Sequence, residues 1–255
     1  MQRNIRKALL LFVIIASITS CNRKAQLLYL GNVQNEKFNA IQPPKYLLKE
    51  GDVLSVQVIT QDANVSKLFN NVSGGNYYNA YSNEASAYIT GYSISDSGYV
   101  HLPVLGKIKV VGLTINDAQA EIQKTTEQYL KDGIVILKML SFKVTVIGEV
   151  KRPGTYNNYK DYLNIFEAIG LAGDLSDYAE RSTVLVVRQT KDGLKTSRIN
   201  LNDKKILDFE AFYLLPNDIV IVEPRKGKVF AMNSPNISIF LSVISTALLM
   251  MNFLK

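Results

Sequence analysis

The chain of 255 residues is 47% hydrophobic and 20% charged, with 15 Gly and 7 Pro. That balance can bury a real core and excludes wholesale disorder, collagen-like repeats and coiled coils. One cysteine excludes a disulfide framework and a Cys-rich zinc site, and one histidine with no tryptophan leaves few parts for metal or nucleophilic chemistry.

Residues 1–20 read as an export signal: Arg3, Arg6 and Lys7 form a positive head, and Ala8 to Ile18 form an uncharged apolar run. The run is shorter than a bilayer-spanning helix needs. It ends in Ile18-Thr19-Ser20-Cys21, which resembles the lipobox of bacterial lipoproteins. Cys21 would then carry a diacylglycerol thioether and become the first residue after cleavage. An ordinary signal peptide with a chance cysteine is the alternative, but the chain's only cysteine stands where the motif requires it. Cleavage removes three basic and no acidic side chains from a formal +7, leaving +4, which does not suggest a nucleic-acid protein.

Residues 21–45 read as a polar tether closed by Pro43-Pro44. Gly51 and Asp52 form a turn that launches a strand over Val53 to Thr60. Residues 61–91, rich in Asn, Ser, Gly and Tyr, read as a long surface excursion. Strands follow at Tyr92–Ser95, Tyr99–Leu105 and Lys107–Val111. Thr114 caps a helix with Asp117 at its third position and Ile115, Ala118, Ile122 and Tyr129 on its apolar face. Gly133 ends that pattern before strands at Ile134–Leu137 and Phe142–Val150.

A second unit opens with a tight turn at Arg152-Pro153-Gly154 and a return strand over Tyr156 to Tyr159. Asn164 to Leu171 reads as a short helix with Glu167 completing a capping box and Gly173 past its end. Val184–Arg188 and Leu194–Leu201 predict a hairpin around Lys191-Asp192-Gly193, and Asn217-Asp218 launches Ile219–Val222. Asp52 and Asp218 are read as turn residues accepting from local backbone N–H groups. The pattern has no βαβ rhythm, so the fold class is α+β: two small units, 46–141 and 142–224, rather than a Rossmann or barrel fold.

After a linker at 225–235, residues 236–255 predict a C-terminal transmembrane helix opened by Ser234-Pro235. At about 18–20 residues it would measure roughly 27–30 Å. Ser238, Ser242, Ser245, Thr246 and Asn252 fall on one side of it. One reading makes that stripe a pore-lining or helix–helix face. The other makes it a lone anchor whose hydroxyls bond back to their own backbone. Arg225, Lys226 and Lys228 on the outer flank oppose an inner-membrane orientation.

The stretches "YLLKEGDVLSVQV" (46–58) and "SDSGYVHLPVLGKIKVVGLTINDAQAEI" (95–122) resemble the polysaccharide export domain of Wza-like outer-membrane export lipoproteins. "VTVIGEVKRPGTY" (144–156), "FEAIGLAGDLSDYAERSTVLVVR" (166–188) and "LPNDIVIV" (215–222) resemble the companion SLBB domain, a β-grasp-like module. The resemblance implies a lipid-anchored, ring-forming homo-oligomer in the outer membrane, its body in the periplasm. Such a ring would export capsular or exopolysaccharide together with an inner-membrane polysaccharide co-polymerase. Residues 61–91 look like an insertion, and one SLBB unit stands where larger relatives carry two.

No nucleophile motif, phosphate loop or cofactor fingerprint occurs, so no enzymatic role, cofactor, metal or nucleic-acid partner is expected. His101 reads as structural. Tyr77, Tyr78 and Tyr81 are possible glycan contacts, with loop decoration the alternative. The competing functional class is a lipid-tethered monomeric glycan-binding module.

Overall fold

The structure, a computed structural model, describes residues 28–34, 37, 41–70 and 88–253. The side chains of 229–238, 248 and 252 lie outside that description. The export signal, Cys21, Tyr77, Tyr78 and Tyr81 also lie outside it, as do the side chains of Ser238 and Asn252. Mixed helix and strand build two separate hydrophobic clusters, one from residues 48–137 and one from 142–222, so this part of the chain is α+β.

In the first cluster, β1 (Val53–Ile59) turns Leu54, Val56 and Val58 inward, as period-two alternation requires. It lies between β2 (Tyr92–Ser93) and β5 (Ile134–Met139), antiparallel to both. The expected excursion after β1 is partly helical. Asp62 caps α1 (Ala63–Phe69) by accepting from the Asn64 N–H at 2.8 Å, and Phe69 is buried. The expected strands Tyr99–Leu105 and Lys107–Val111 are the two arms of a hairpin, β3 (Tyr99–Leu102) and β4 (Gly106–Lys109), which turns through Val104 at φ +63°. His101 is exposed on β3, opposite Lys107.

Thr114 caps α2 (Ile115–Thr126), its hydroxyl accepting from the Asp117 N–H at 3.2 Å, and Ala118, Ile122 and Thr126 are buried against the sheet. Tyr129, expected on that face, is 56% exposed. The N–H groups of Tyr129 and Leu130 both bond to the Thr126 carbonyl, which tightens the last turn and places Leu130 over the core.

The second cluster is a five-stranded sheet in the order β10-β9-β12-β6-β7. Its strands are β6 (Lys143–Gly148), β7 (Gly154–Asn157), β9 (Ala179–Thr190), β10 (Gly193–Ile199) and β12 (Ile219–Pro224), and only β6 and β12 run parallel. Val146, Val220 and Val186 stand in register across its three central strands. Such β-branched side chains suit a half-buried pleated surface. β6 stops at Gly148, two residues short of the expected end. Gly148 adopts φ +91°, and a Cβ there would overlap the Val222 carbonyl oxygen.

β8 (Leu163–Asn164) pairs with β11 (Tyr213–Leu214) and leads into α3 (Ile165–Leu171). The capping box of α3 is complete: Asn164 Oδ1 accepts from the Glu167 N–H at 3.0 Å, and Glu167 Oε2 from the Asn164 N–H at 3.1 Å.

After β12 the chain enters α4 (Lys228–Phe253), 26 residues long. The expected linker is therefore partly helical, with the helix starting eight residues before 236. The expectation that the segment crosses a membrane needs correction: among the described residues, no helix is long and apolar enough to do so. Hydroxyl and amide residues at 238, 242, 245, 246 and 252 stand within its apolar run.

Candidate functional site

Residues 29–32 of the tether seat on the second domain. The Leu30 N–H bonds to the Leu201 carbonyl at 3.0 Å, Asn32 Nδ2 donates to Asp203 at 3.0 Å, and Asn32 Oδ1 accepts from the Lys204 N–H at 2.8 Å. Tyr29 donates its hydroxyl to Asp174 Oδ1 at 2.5 Å, and its ring meets Phe166 edge-on at 5.7 Å. Edge-on contacts continue from Phe166 to Phe212, then to Tyr213 and Tyr162. The Arg181 guanidinium lies over the Tyr29 ring, 5.5 Å from its centroid. Arg181 Nε and Nη1 are buried without a hydrogen-bond partner among the described residues.

Electrostatics follow from that seat. Burial, and then the bond to Asp174, push the Tyr29 hydroxyl well above the ordinary tyrosine range. Burial disfavours the charge on Asp174, but the Tyr29 hydroxyl, the Leu175 N–H, Lys151 and Arg181 outweigh it and hold the carboxyl below its ordinary range. No sequence signal marked this cluster, because its members are scattered from residue 29 to residue 213.

The turn residues read from sequence occupy the following places. Gly51 has φ +82°. Asp52 is buried, its Oδ2 accepting from the Lys49 N–H at 2.8 Å and from the Tyr46 hydroxyl at 3.1 Å. Ser141 accepts from the Val53 N–H at 3.1 Å, tying the start of β1 to the end of β5. Pro153 precedes β7, which Gly154 opens, and the Tyr156 hydroxyl donates to the Arg152 carbonyl across that turn. Asp218 is fully buried; its Oδ2 accepts from the Leu215 N–H at 2.8 Å and from Arg188 Nη2 at 2.7 Å. The Arg188 pairing was not legible in the sequence, since the partners stand 30 residues apart.

At the base of α4, Lys228 Nζ donates to Glu149 at 2.5 Å and Ser176 donates to the same carboxylate at 2.6 Å. Those bonds hold the Glu149 carboxyl below its ordinary range. The Arg225 N–H bonds to the Tyr178 carbonyl at 2.7 Å. Along α4, Ser242 donates to the Ile239 carbonyl at 2.7 Å, and Ser245 and Thr246 donate to the Ser242 carbonyl at 2.9 and 2.8 Å. Ile239, Phe240, Leu241, Val243, Leu249 and Met250 are each about 60–70% exposed. Among the described residues, no group of three or more His, Cys, Asp or Glu side chains is placed to hold a metal.

Two hydrophobic clusters, the second followed by a 26-residue helix, define a tandem two-domain α+β protein with a C-terminal helical element. The polysaccharide biosynthesis/export protein family matches residues 40–140, and the SLBB domain family matches residues 142–222. Together the two matches cover most of residues 40–222 and support kinship with the Wza-like polysaccharide export family. It is 28% identical over 204 residues to the EPS I polysaccharide export outer membrane protein EpsA of Ralstonia solanacearum, covering 78% of this chain and 53% of that protein. It is 29% identical over 190 residues to the EpsA of Ralstonia nicotianae, covering 72% of this chain and 49% of that protein. The chain spans about half the length of these curated relatives.

Proposed function

We propose that this protein is the subunit of an oligomeric outer-membrane channel that exports capsular or exopolysaccharide. Cys21 carries the lipid, the two α+β domains form a periplasmic ring, and α4 packs against its copies at the outer membrane. Conduction is passive: a closed ring keeps the hydrated polymer out of lipid, and lumen width and charge select what passes. No bond of the polymer is made or broken, and an inner-membrane co-polymerase supplies the chain.

The observation that carries this reading is α4. A helix exposing this much apolar surface on every described side is incompatible with a dissolved monomer and calls for lipid or other helices as cover. The lipid-tethered monomeric binder is the second reading, favoured by hydroxyls of α4 that bond to its own carbonyls and by the aromatic cluster on the second domain.

The test is electron microscopy of the full chain extracted in a mild detergent, beside a variant lacking residues 228–255. Closed rings from the full chain, lost in the variant together with export, are the expected outcome. Monomers in every detergent, with function retained in the variant, would establish the tethered binder.

A further inference from the structure

Gly170 lies inside α3, where glycine weakens a helix by freeing the unfolded backbone. Neither backbone nor packing calls for it there: its φ is not left-handed, and an added Cβ would meet nothing within 4 Å. What the missing side chain does is keep space open. Gly170 borders a cavity of about 350 Å³ together with Tyr29, Leu30, Phe166, Ile169 and Asp174. That volume lies at the lower end of the roughly 300–1,000 Å³ range of small-molecule sites, which suits a single ring.

We propose that this cavity is a subsite for one neutral pyranose residue of the carried polysaccharide, an assignment that rests on the export reading above. The rings of Tyr29 and Phe166 meet at 85° and form an aromatic corner, a surface suited to the C–H faces of a sugar ring. Asp174 supplies the polar contact. Its Oδ1 takes both the Tyr29 hydroxyl, at 2.5 Å, and the Leu175 N–H, at 2.7 Å. Its Oδ2 has no protein donor among the described residues and can accept from sugar hydroxyls, a charge-assisted bond stronger than a neutral one. The one charged residue lining the cavity is the Asp174 carboxylate, which repels a uronate or sulfated residue directly, while Lys151 and Arg181 offset part of that charge from outside the lining. Tyr29 belongs to the tether, so the cavity is complete only while the tether is seated on the second domain.

The test uses the full chain in detergent and saturation-transfer NMR with maltotetraose and chitotetraose as neutral probes and tetragalacturonate as the acidic one. Binding of a neutral probe is expected, with at least a tenfold loss on Gly170→Leu, which fills the space, on Asp174→Asn and on Tyr29→Ala. Gly170→Ala serves as a folding control and should keep or raise the melting temperature. Binding of neither neutral probe, equal binding by the Gly170→Leu variant, or equal binding of tetragalacturonate would overturn the assignment. In cells lacking the chain, complementation with wild type or Gly170→Leu separates the two readings. Export abolished by the deletion and fully restored by Gly170→Leu removes the subsite and leaves the channel standing. Export unaffected by the deletion removes the export reading, while the NMR result still decides whether the cavity takes a sugar.

Discussion

Asp218 and Arg188 show how a single residue can anchor the second domain. The carboxylate is fully buried and the Arg188 side chain is 12% exposed, so each charge depends on the other and on the Leu215 N–H and Tyr213 carbonyl around them. Removing one partner of such a pair leaves an uncompensated buried charge, at a cost of about 3–5 kcal/mol. Asp218→Asn is therefore expected to lower the unfolding free energy by that amount, read as a fall in the urea midpoint with an unchanged slope. Asp52 behaves differently. Burial raises its carboxyl above the ordinary range, against the opposing bonds from Lys49, Tyr46 and Ser141. With the folded value above the unfolded value of about 3.9, its contribution is most favourable below that point and declines as pH rises through the interval to the raised value. Asp52→Asn keeps an acceptor for the Lys49 N–H and removes the titration. The stability of the variant relative to wild type should thus increase with pH across that window in chemical unfolding series; a constant difference would refute the assignment.

Among the secondary-structure elements, the outer strand β5 and the end of the central strand β1 are closed by amide side chains. Gln123 Oε1 accepts from the Val135 N–H at 2.9 Å, and Gln119 Oε1 accepts from the Leu137 N–H at 3.2 Å, one helical turn apart on α2. Asn70 both donates to the Val58 carbonyl and accepts from its N–H, each at 2.9 Å. These contacts occupy strand-edge groups that would otherwise be free to pair with another chain. Replacing Gln119 and Gln123 with Ala should cost about 1–3 kcal/mol per lost partner and speed hydrogen exchange at Val135 and Leu137. Unchanged exchange at those two amides would show that the glutamines do not protect the edge. These glutamines were not legible in the sequence, where polar residues four apart on a helix read as a solvated face. The capping of α2 by Thr114 and of α3 by Asn164 and Glu167 was legible, because a cap depends only on residues within one turn. Both strands of the β3–β4 hairpin were legible, but the turn between them was missed because it uses Val104, a residue type that rarely takes a left-handed conformation.

For the molecule as a whole, the seated tether and α4 attach to the same domain: residues 29–32 bond to the second domain, and α4 follows directly from β12 with Lys228 held by Glu149. Both ends of the described chain thus leave from the second domain, while the first domain carries neither. If α4 lines a lumen in the assembled ring, Ser242→Leu together with Thr246→Leu should reduce export several-fold while leaving ring formation intact. The bonds of both hydroxyls to helix carbonyls make the alternative concrete, and unchanged export would assign α4 to cohesion alone.

The α+β class and the helix caps at Thr114 and Asn164 were determined by the sequence alone, since they rest on short-range periodicity or on residues within a turn of one another, and the two family resemblances rest on motifs contiguous in the chain. Only the tertiary structure decided that the tether seats on the second domain, that Arg188 pairs with Asp218, that glutamines close a sheet edge, and that Gly170 keeps a cavity open. Each of these joins residues far apart in the chain, and long-range contacts of that kind leave no periodic trace, because burial and pairing are settled by the packing of whole elements rather than by any local preference.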